Sequence, residues 1–222
     1  VGCGQSVEQL APNLGNPVSF VSRDGVGLQG HVSGKGDIWI ILLTASTEGP
    51  GDWVEFTEFL VENGYKTLMF DQGIYSSRDK HDLSDVGRVT DGVHGALDYI
   101  ENIDPGGSFL TYLIGSGVGG SAAIESANAR LVLGVIALSP PYYSPLEPAM
   151  IDETSLPVGK LFISSEEDSS MLTGVKRYFD DSHPPRMVEI YAGDEREVEL
   201  LNGRHADRIR SRVIEFLQAY GP

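Results

Sequence analysis

The sequence predicts an α/β fold with a mostly parallel central sheet of about eight strands, helices on both faces and an N-terminal antiparallel hairpin. Three observations carry this. Short apolar runs alternate with amphipathic segments along nearly the whole chain. Several runs, such as Ile38-Trp39-Ile40-Ile41-Leu42-Leu43, are continuously apolar, as strands covered on both faces must be. The segments joining the later runs have helical periodicity, so their strands are linked by crossovers and run parallel.

The elements follow in order. Residues 1–16 are polar with Pro12 and Gly15 and read as a tether, which leaves 17–222 as a single domain. Val18-Ser19-Phe20-Val21 and Leu28-Gln29-Gly30-His31-Val32 alternate, and Ser22-Arg23-Asp24-Gly25 between them is a turn signal; together they form the hairpin. The run Ile38 to Leu43 is the third strand. Trp53, Phe56, Leu60 and Val61 recur at helical spacing up to Asn63, just before Gly64. Lys66 to Asp71 is the next strand. Asp85 to Ile103 is an amphipathic helix marked by Val86, Val89, Val93, Leu97 and Ile100.

Ser108 to Ile114 reads as a buried strand. It runs at once into Gly115-Ser116-Gly117-Val118-Gly119-Gly120 and then the helix-like Ser121 to Ala127. Leu131 to Leu138 is another buried strand, closed by Ser139-Pro140-Pro141. Residues 142–157 contain Pro145, Pro148 and Pro157 and read as a loop, too short for a large lid. Lys160 to Ser164 is a strand, and a helix lies near Met171 to Phe179. Met187 to Tyr191 is the last strand. Ala206 to Tyr220 is the final helix, with Ile209, Val213, Phe216 and Leu217 on one face.

Charge narrows the partners. Sixteen basic against 32 acidic residues give a net charge of −16, a surface that repels nucleic acid and anionic membranes. No stretch is long and apolar enough to span a bilayer. Cys3 is the sole cysteine, so no intrachain disulfide forms. Its setting, Val1-Gly2-Cys3-Gly4, resembles the end of a bacterial lipobox. That implies a lipid on Cys3 as the one membrane contact and an extracytoplasmic address. A chance cysteine in a frayed terminus, and a cytoplasmic chain, are the alternatives.

Strand, tight glycine turn and helix are the setting of the nucleophile elbow, G-x-S-x-G. With Gly115 and Gly119 as its outer glycines, the serine position is Gly117. Gly115, Gly117 and Gly120 also match the dinucleotide fingerprint G-x-G-x-x-G. That motif needs an acidic residue at the end of the next strand, which reads Ala137-Leu138-Ser139-Pro140-Pro141.

These residues and the order of elements resemble the α/β-hydrolase superfamily from Val18 to Tyr220. The nearest pattern is that of compact, lid-poor bacterial esterase or dienelactone-hydrolase-like members. The resemblance implies a nucleophile, an acid and a histidine base at set places. The nucleophile position is Gly117, with no side chain. The acid follows the next-to-last strand, where Ser165-Glu166-Glu167-Asp168 makes Asp168 the match. The base lies just past the last strand, where Gly193-Asp194-Glu195-Arg196 places Arg196. Arginine stays protonated and cannot be a base. The oxyanion region, His-Gly in many members, is Thr44-Ala45-Ser46-Thr47-Glu48-Gly49. The stretch Gln72 to Ser77 is a worn copy of another family motif.

The expected function is therefore a degenerate hydrolase that acts by binding, without catalytic residues, metal or cofactor. A small molecule or small anion would lie at Thr44, Ala45, Gly117, Val118 and Arg196, where a helix start offers free amides. A protein partner is the other expectation. Its rival is a weak esterase using Ser116, or an activated water, with Asp168 and His205. Ser116 is one residue early for the elbow, Ser121 falls in the helix, and His205 reads as a helix cap. The histidines lack zinc spacing. Asp79, His81 and Asp82 share a loop and read as a polar loop.

Overall fold

The computed structural model describes residues 15–45, 48–72, 83–143 and 158–222. Cys3, nearly all of the tether, Ser46, Thr47, the segment 73–77, the Asp79–Asp82 loop and most of the proline-rich loop lie outside these residues.

Eight strands form one sheet in the order β1-β2-β4-β3-β5-β6-β7-β8. β1 (Asn16–Val21) and β2 (Gly27–Ser33) make the antiparallel hairpin, and β2 also runs antiparallel to β4 (Lys66–Phe70). β3 (Trp39–Leu43), β5 (Thr111–Ser116), β6 (Gly134–Leu138), β7 (Gly159–Ser165) and β8 (Arg186–Tyr191) continue it in parallel. Asn16 already pairs with Val32, so the sheet begins inside the expected tether.

Side chains alternate across each strand, so every central strand feeds two cores. Trp39, Ile41 and Leu43 of β3 face one; Ile40 and Leu42 face the other. The first core is covered by α2 (Leu83–Ile103), α3 (Gly117–Ala129) and α4 (Ser169–Asp181). The second is covered by α1 (Val54–Glu62) and α6 (Ala206–Tyr220), with the short α5 (Glu199–Asn202) beside them. The apolar face read from the sequence of α6 is the buried one: Ile209, Val213, Phe216 and Leu217 have no exposed surface. Each such side chain contributes about 1.5–3 kcal/mol.

Two strand starts differ from the sequence reading. Residues 107–110 form a 3-10 turn, and β5 begins only at Thr111. Gly106 is left-handed at φ 89°, and Gly107 and Phe109 turn back to bond Asp104 and Gly106. Phe109 is thereby exposed, although its apolar character suggested strand. β6 likewise begins at Gly134, where Tyr112 first offers a pairing partner, and Leu131 is left on the surface. Trp53 lies in a 3-10 turn, Pro50–Trp53, that leads into α1.

The hairpin is fastened to α2. Arg23 N–H donates to the Asp91 carbonyl at 3.0 Å. The Arg23 guanidinium donates to Nδ1 of the buried His94 at 3.2 Å, which leaves the ring proton on Nε2, without a partner. A Cβ on Gly95 would lie 2.3 Å from the Val21 carbonyl, so only glycine lets the hairpin approach this closely.

Candidate functional site

β5 ends at Ser116 and α3 starts at Gly117, which is left-handed at φ 49°. The flanking glycines are steric requirements of this turn. A Cβ on Gly115 would lie 2.4 Å from the Gly119 carbonyl, and one on Gly119 would lie 2.5 Å from the Leu43 carbonyl. The turn therefore has the strand, tight turn and helix shape of an elbow, with Gly117 at the start of the helix.

Another side chain covers that place. A Cβ on Gly117 would lie 2.5 Å from Glu197 Oε1 and 2.8 Å from Ala45 Cβ. Glu197, in the loop after β8, is itself left-handed at φ 52°. The same cover spans the middle glycine of the dinucleotide fingerprint, where a pyrophosphate would need to approach.

Ser116 is fully buried beneath the elbow. Its hydroxyl donates to Glu48 Oε2 at 2.5 Å and accepts from Ala45 N–H at 3.0 Å. Glu48 is the hub of the region. Its Oε2 also accepts from Ala45 N–H at 2.8 Å and from the Trp53 indole N–H at 2.9 Å, and its Oε1 accepts from Val198 N–H at 2.8 Å. A buried carboxylate is costly unless hydrogen-bonded, and here four uncharged donors supply the bonds.

The residues matched to acid and base do meet. Arg196 Nε lies 3.5 Å from Asp168 Oδ1, the guanidinium side chain 57% exposed and the carboxylate fully buried. Ser170 donates to the same oxygen at 3.1 Å, while Asp168 Oδ2 has no partner. The two residues matched to acid and base from the sequence are thus neighbours, and the arginine carries a fixed positive charge.

His205 immediately precedes α6, as the sequence suggested, but its side chain makes no capping bond to the helix. A ring nitrogen bonds the Ala192 carbonyl at 2.9 Å, and the ring packs on Tyr191. The hydroxyl of Ser116 has Glu48 as its partner, not this histidine. Ser121 donates to the Pro141 carbonyl at 2.7 Å and so lines α3.

The residues expected to hold a ligand are largely sealed. Thr44, Ala45 and Val118 are buried. The Gln72 amide brackets Thr44: oriented for bonding, its oxygen accepts from Thr44 N–H at 2.9 Å and its nitrogen donates to the Thr44 carbonyl at 3.1 Å. Of the five, only Arg196 has a side chain open to solvent. Three clefts lie among the described residues. One of about 760 Å³ is lined by Gly15, Val32, Gly34 and Val61, one of about 350 Å³ by Leu28, Phe70, Arg88 and Gly92, and one of about 430 Å³, after β8, by Asp194, Glu195, Glu199 and Arg204. None of the three is lined by Ser116, Gly117 or Val118.

The neighbouring titration follows from burial and contacts. Glu195 is held below the usual carboxylate range by its own backbone amide and then by Arg204. Burial pushes the Tyr178 phenol, near Ser121, up to about 12. Among the described residues, no three His, Cys, Asp or Glu side chains come together as a metal site.

Glu48 and Glu197 were missed as site residues. Glu48 stands in the altered oxyanion stretch, but a glutamate in a polar loop reads as solvated. Its partners Ser116 and Val198 are 68 and 150 residues away, so no local pattern announces them.

No family model and no curated protein matches the sequence. Solved structures do. An esterase from Pyrococcus furiosus superposes with TM-score 0.76 at 18% identity, covering 100% of this chain and 97% of that one. A dienelactone hydrolase from Anabaena variabilis gives 0.72 at 19% identity, covering 93% and 100%. A serine hydrolase without a lid from Xanthomonas campestris gives 0.67 at 14% identity, covering 95% and 97%. Sheet order, elbow and nearly complete coverage agree: the chain has the α/β-hydrolase fold.

Proposed function

We propose that this chain has given up serine-hydrolase chemistry and acts as a binding or interaction protein. One observation carries the reading: the space for a nucleophilic side chain at position 117 is taken by Glu197 and Ala45. Acyl transfer in this fold needs a nucleophile and a neutral base side by side. Position 117 offers none, and the guanidinium of Arg196 accepts no proton. Loss of either group leaves only roughly 10³ to 10⁴ over water, the part due to binding and oxyanion donors. Here the Ala45 amide already has Glu48 as its acceptor, which weakens even that remainder.

The bond between Ser116 and Glu48 gives the weak-esterase reading a carboxylate base, but the burial of Ser116 keeps substrate away. The neighbours are named an esterase and a dienelactone hydrolase, so short esters are the fitting probes. The protein is incubated with p-nitrophenyl acetate and butyrate and with a fluorophosphonate probe. No turnover above buffer and no labelling are expected. Turnover or labelling that Ser116→Ala abolishes would refute the proposal.

A further inference from the structure

We infer that the donors around Glu48 form a receptor for a carboxylate, and that Glu48 is its built-in occupant. This rests on the reading of the site as closed and non-catalytic. The donors come from separate segments: Ala45 after β3, Trp53 before α1, Ser116 at the end of β5 and Val198 ahead of α5. Three converge on Oε2 at 2.5–2.9 Å, and the fourth meets Oε1 at 2.8 Å. Ala45 lies in the loop where hydrolases place an oxyanion amide. The other three donors, Trp53, Ser116 and Val198, come from outside that loop.

The geometry selects for a planar anion with two acceptor oxygens. None of the donors carries a charge, so a chloride gains little beyond one or two amide contacts. A carboxamide of the same shape turns an NH₂ group toward a donor and leaves it unsatisfied. A carboxylate held in place by its own folded loop acts at an effective concentration far above the roughly 100 mM at which a free acid is supplied. Glu48 therefore keeps free acids out of the intact protein. Cutting it back to Cβ vacates the carboxylate volume and leaves the donors in place. The ligand class is a small monocarboxylate, with formate and acetate as probes.

The experiment is thermal unfolding of the wild type, Glu48→Ala and Glu48→Gln. Each is titrated with formate, acetate, acetamide and chloride at matched ionic strength. Glu48→Ala should melt roughly 10 °C below wild type, because a buried hydrogen-bonded network has lost its acceptor. Formate or acetate at about 100 mM should return at least about 3 °C, with saturation, while acetamide and chloride return none. Wild type and Glu48→Gln, whose sites are filled, should not respond. The receptor is refuted if Glu48→Ala is as stable as wild type, or responds to chloride as to formate. It is equally refuted if Glu48→Gln responds as Glu48→Ala does, or if Glu48→Ala fails to refold even in formate. Ester turnover by the wild type would instead refute the closed-site reading, so the two failures are distinct.

Discussion

Ser116 Oγ and Glu48 Oε2 lie 2.5 Å apart in the buried floor of the elbow, although 68 residues separate them in the chain. That is the short end of the range for a hydroxyl donating to a carboxylate. The bond ties the end of β5 to the loop after β3, and through the other oxygen of Glu48 to Val198. Ser116→Ala removes one donor and leaves the others. The expected loss is about 1.5–3 kcal/mol, the range for hydrogen bonds to charged groups. Urea unfolding at neutral pH measures it. A variant as stable as wild type would show that the short bond has no energetic weight.

Restoring a side chain at the elbow should harm the protein without activating it. Gly117→Ser places an L-residue in the left-handed region, which costs roughly 1–2 kcal/mol. It also brings Cβ within 2.8 Å of Ala45 Cβ, a contact that no side-chain rotation relieves. Glu197 is the softer obstacle, because its carboxylate is the far end of a flexible chain. Adding Glu197→Ala should therefore recover part of the loss, a coupling that a double-mutant cycle reads directly. Equal losses in the single and double variants would argue against the overlap.

The Arg196–Asp168 pair predicts another coupling. Asp168 is fully buried with one oxygen unpartnered, and Arg196 is its charged neighbour at 3.5 Å. Arg196→Ala leaves the buried carboxylate bonded to Ser170 alone. Because Arg196 is more than half exposed, solvent screens its contribution, and the expected loss is about 1 kcal/mol. Asp168→Asn in the same chain removes the charge and should make the loss of Arg196 nearly neutral. Additive losses in denaturant unfolding would contradict this.

His94 sets a pH dependence. Burial, then the charges of Arg23 and Arg130, hold its imidazolium below the usual range, against the weaker pull of Asp91 and Asp98. The unfolded chain thus takes up this proton more readily than the folded one. The folded state keeps the full benefit above the ordinary pKa of 6.5 and loses it as pH falls toward the depressed folded value. His94→Gln should flatten this part of the stability profile. Urea unfolding between about pH 5 and 7.5 measures the slope. An unchanged slope would rule out His94 as its source.

Most of the fold was readable because its signals are local. The continuous apolar run from Ile38 to Leu43 marked β3, and the spacing of Ile209, Val213, Phe216 and Leu217 marked α6 to the residue. Phe109 and Leu131 misled because apolar character says nothing about where a neighbouring strand begins. The elbow was readable as well, since tight turns restrict which residues fit. Glu48 and Glu197 were not. Their significance arises only when loops distant in sequence close over one another, and nothing near either residue encodes that meeting.

The cover over Gly117 also acts as a ratchet on history. A chain on its way to a serine at this position must shift Ala45, displace Glu197 and exchange Arg196 for a base. On the reading proposed above, no single step brings chemistry, and the first costs stability, so selection for turnover has nothing to favour until all are in place. Such a site is held shut by the order in which changes would have to come, as well as by its contacts.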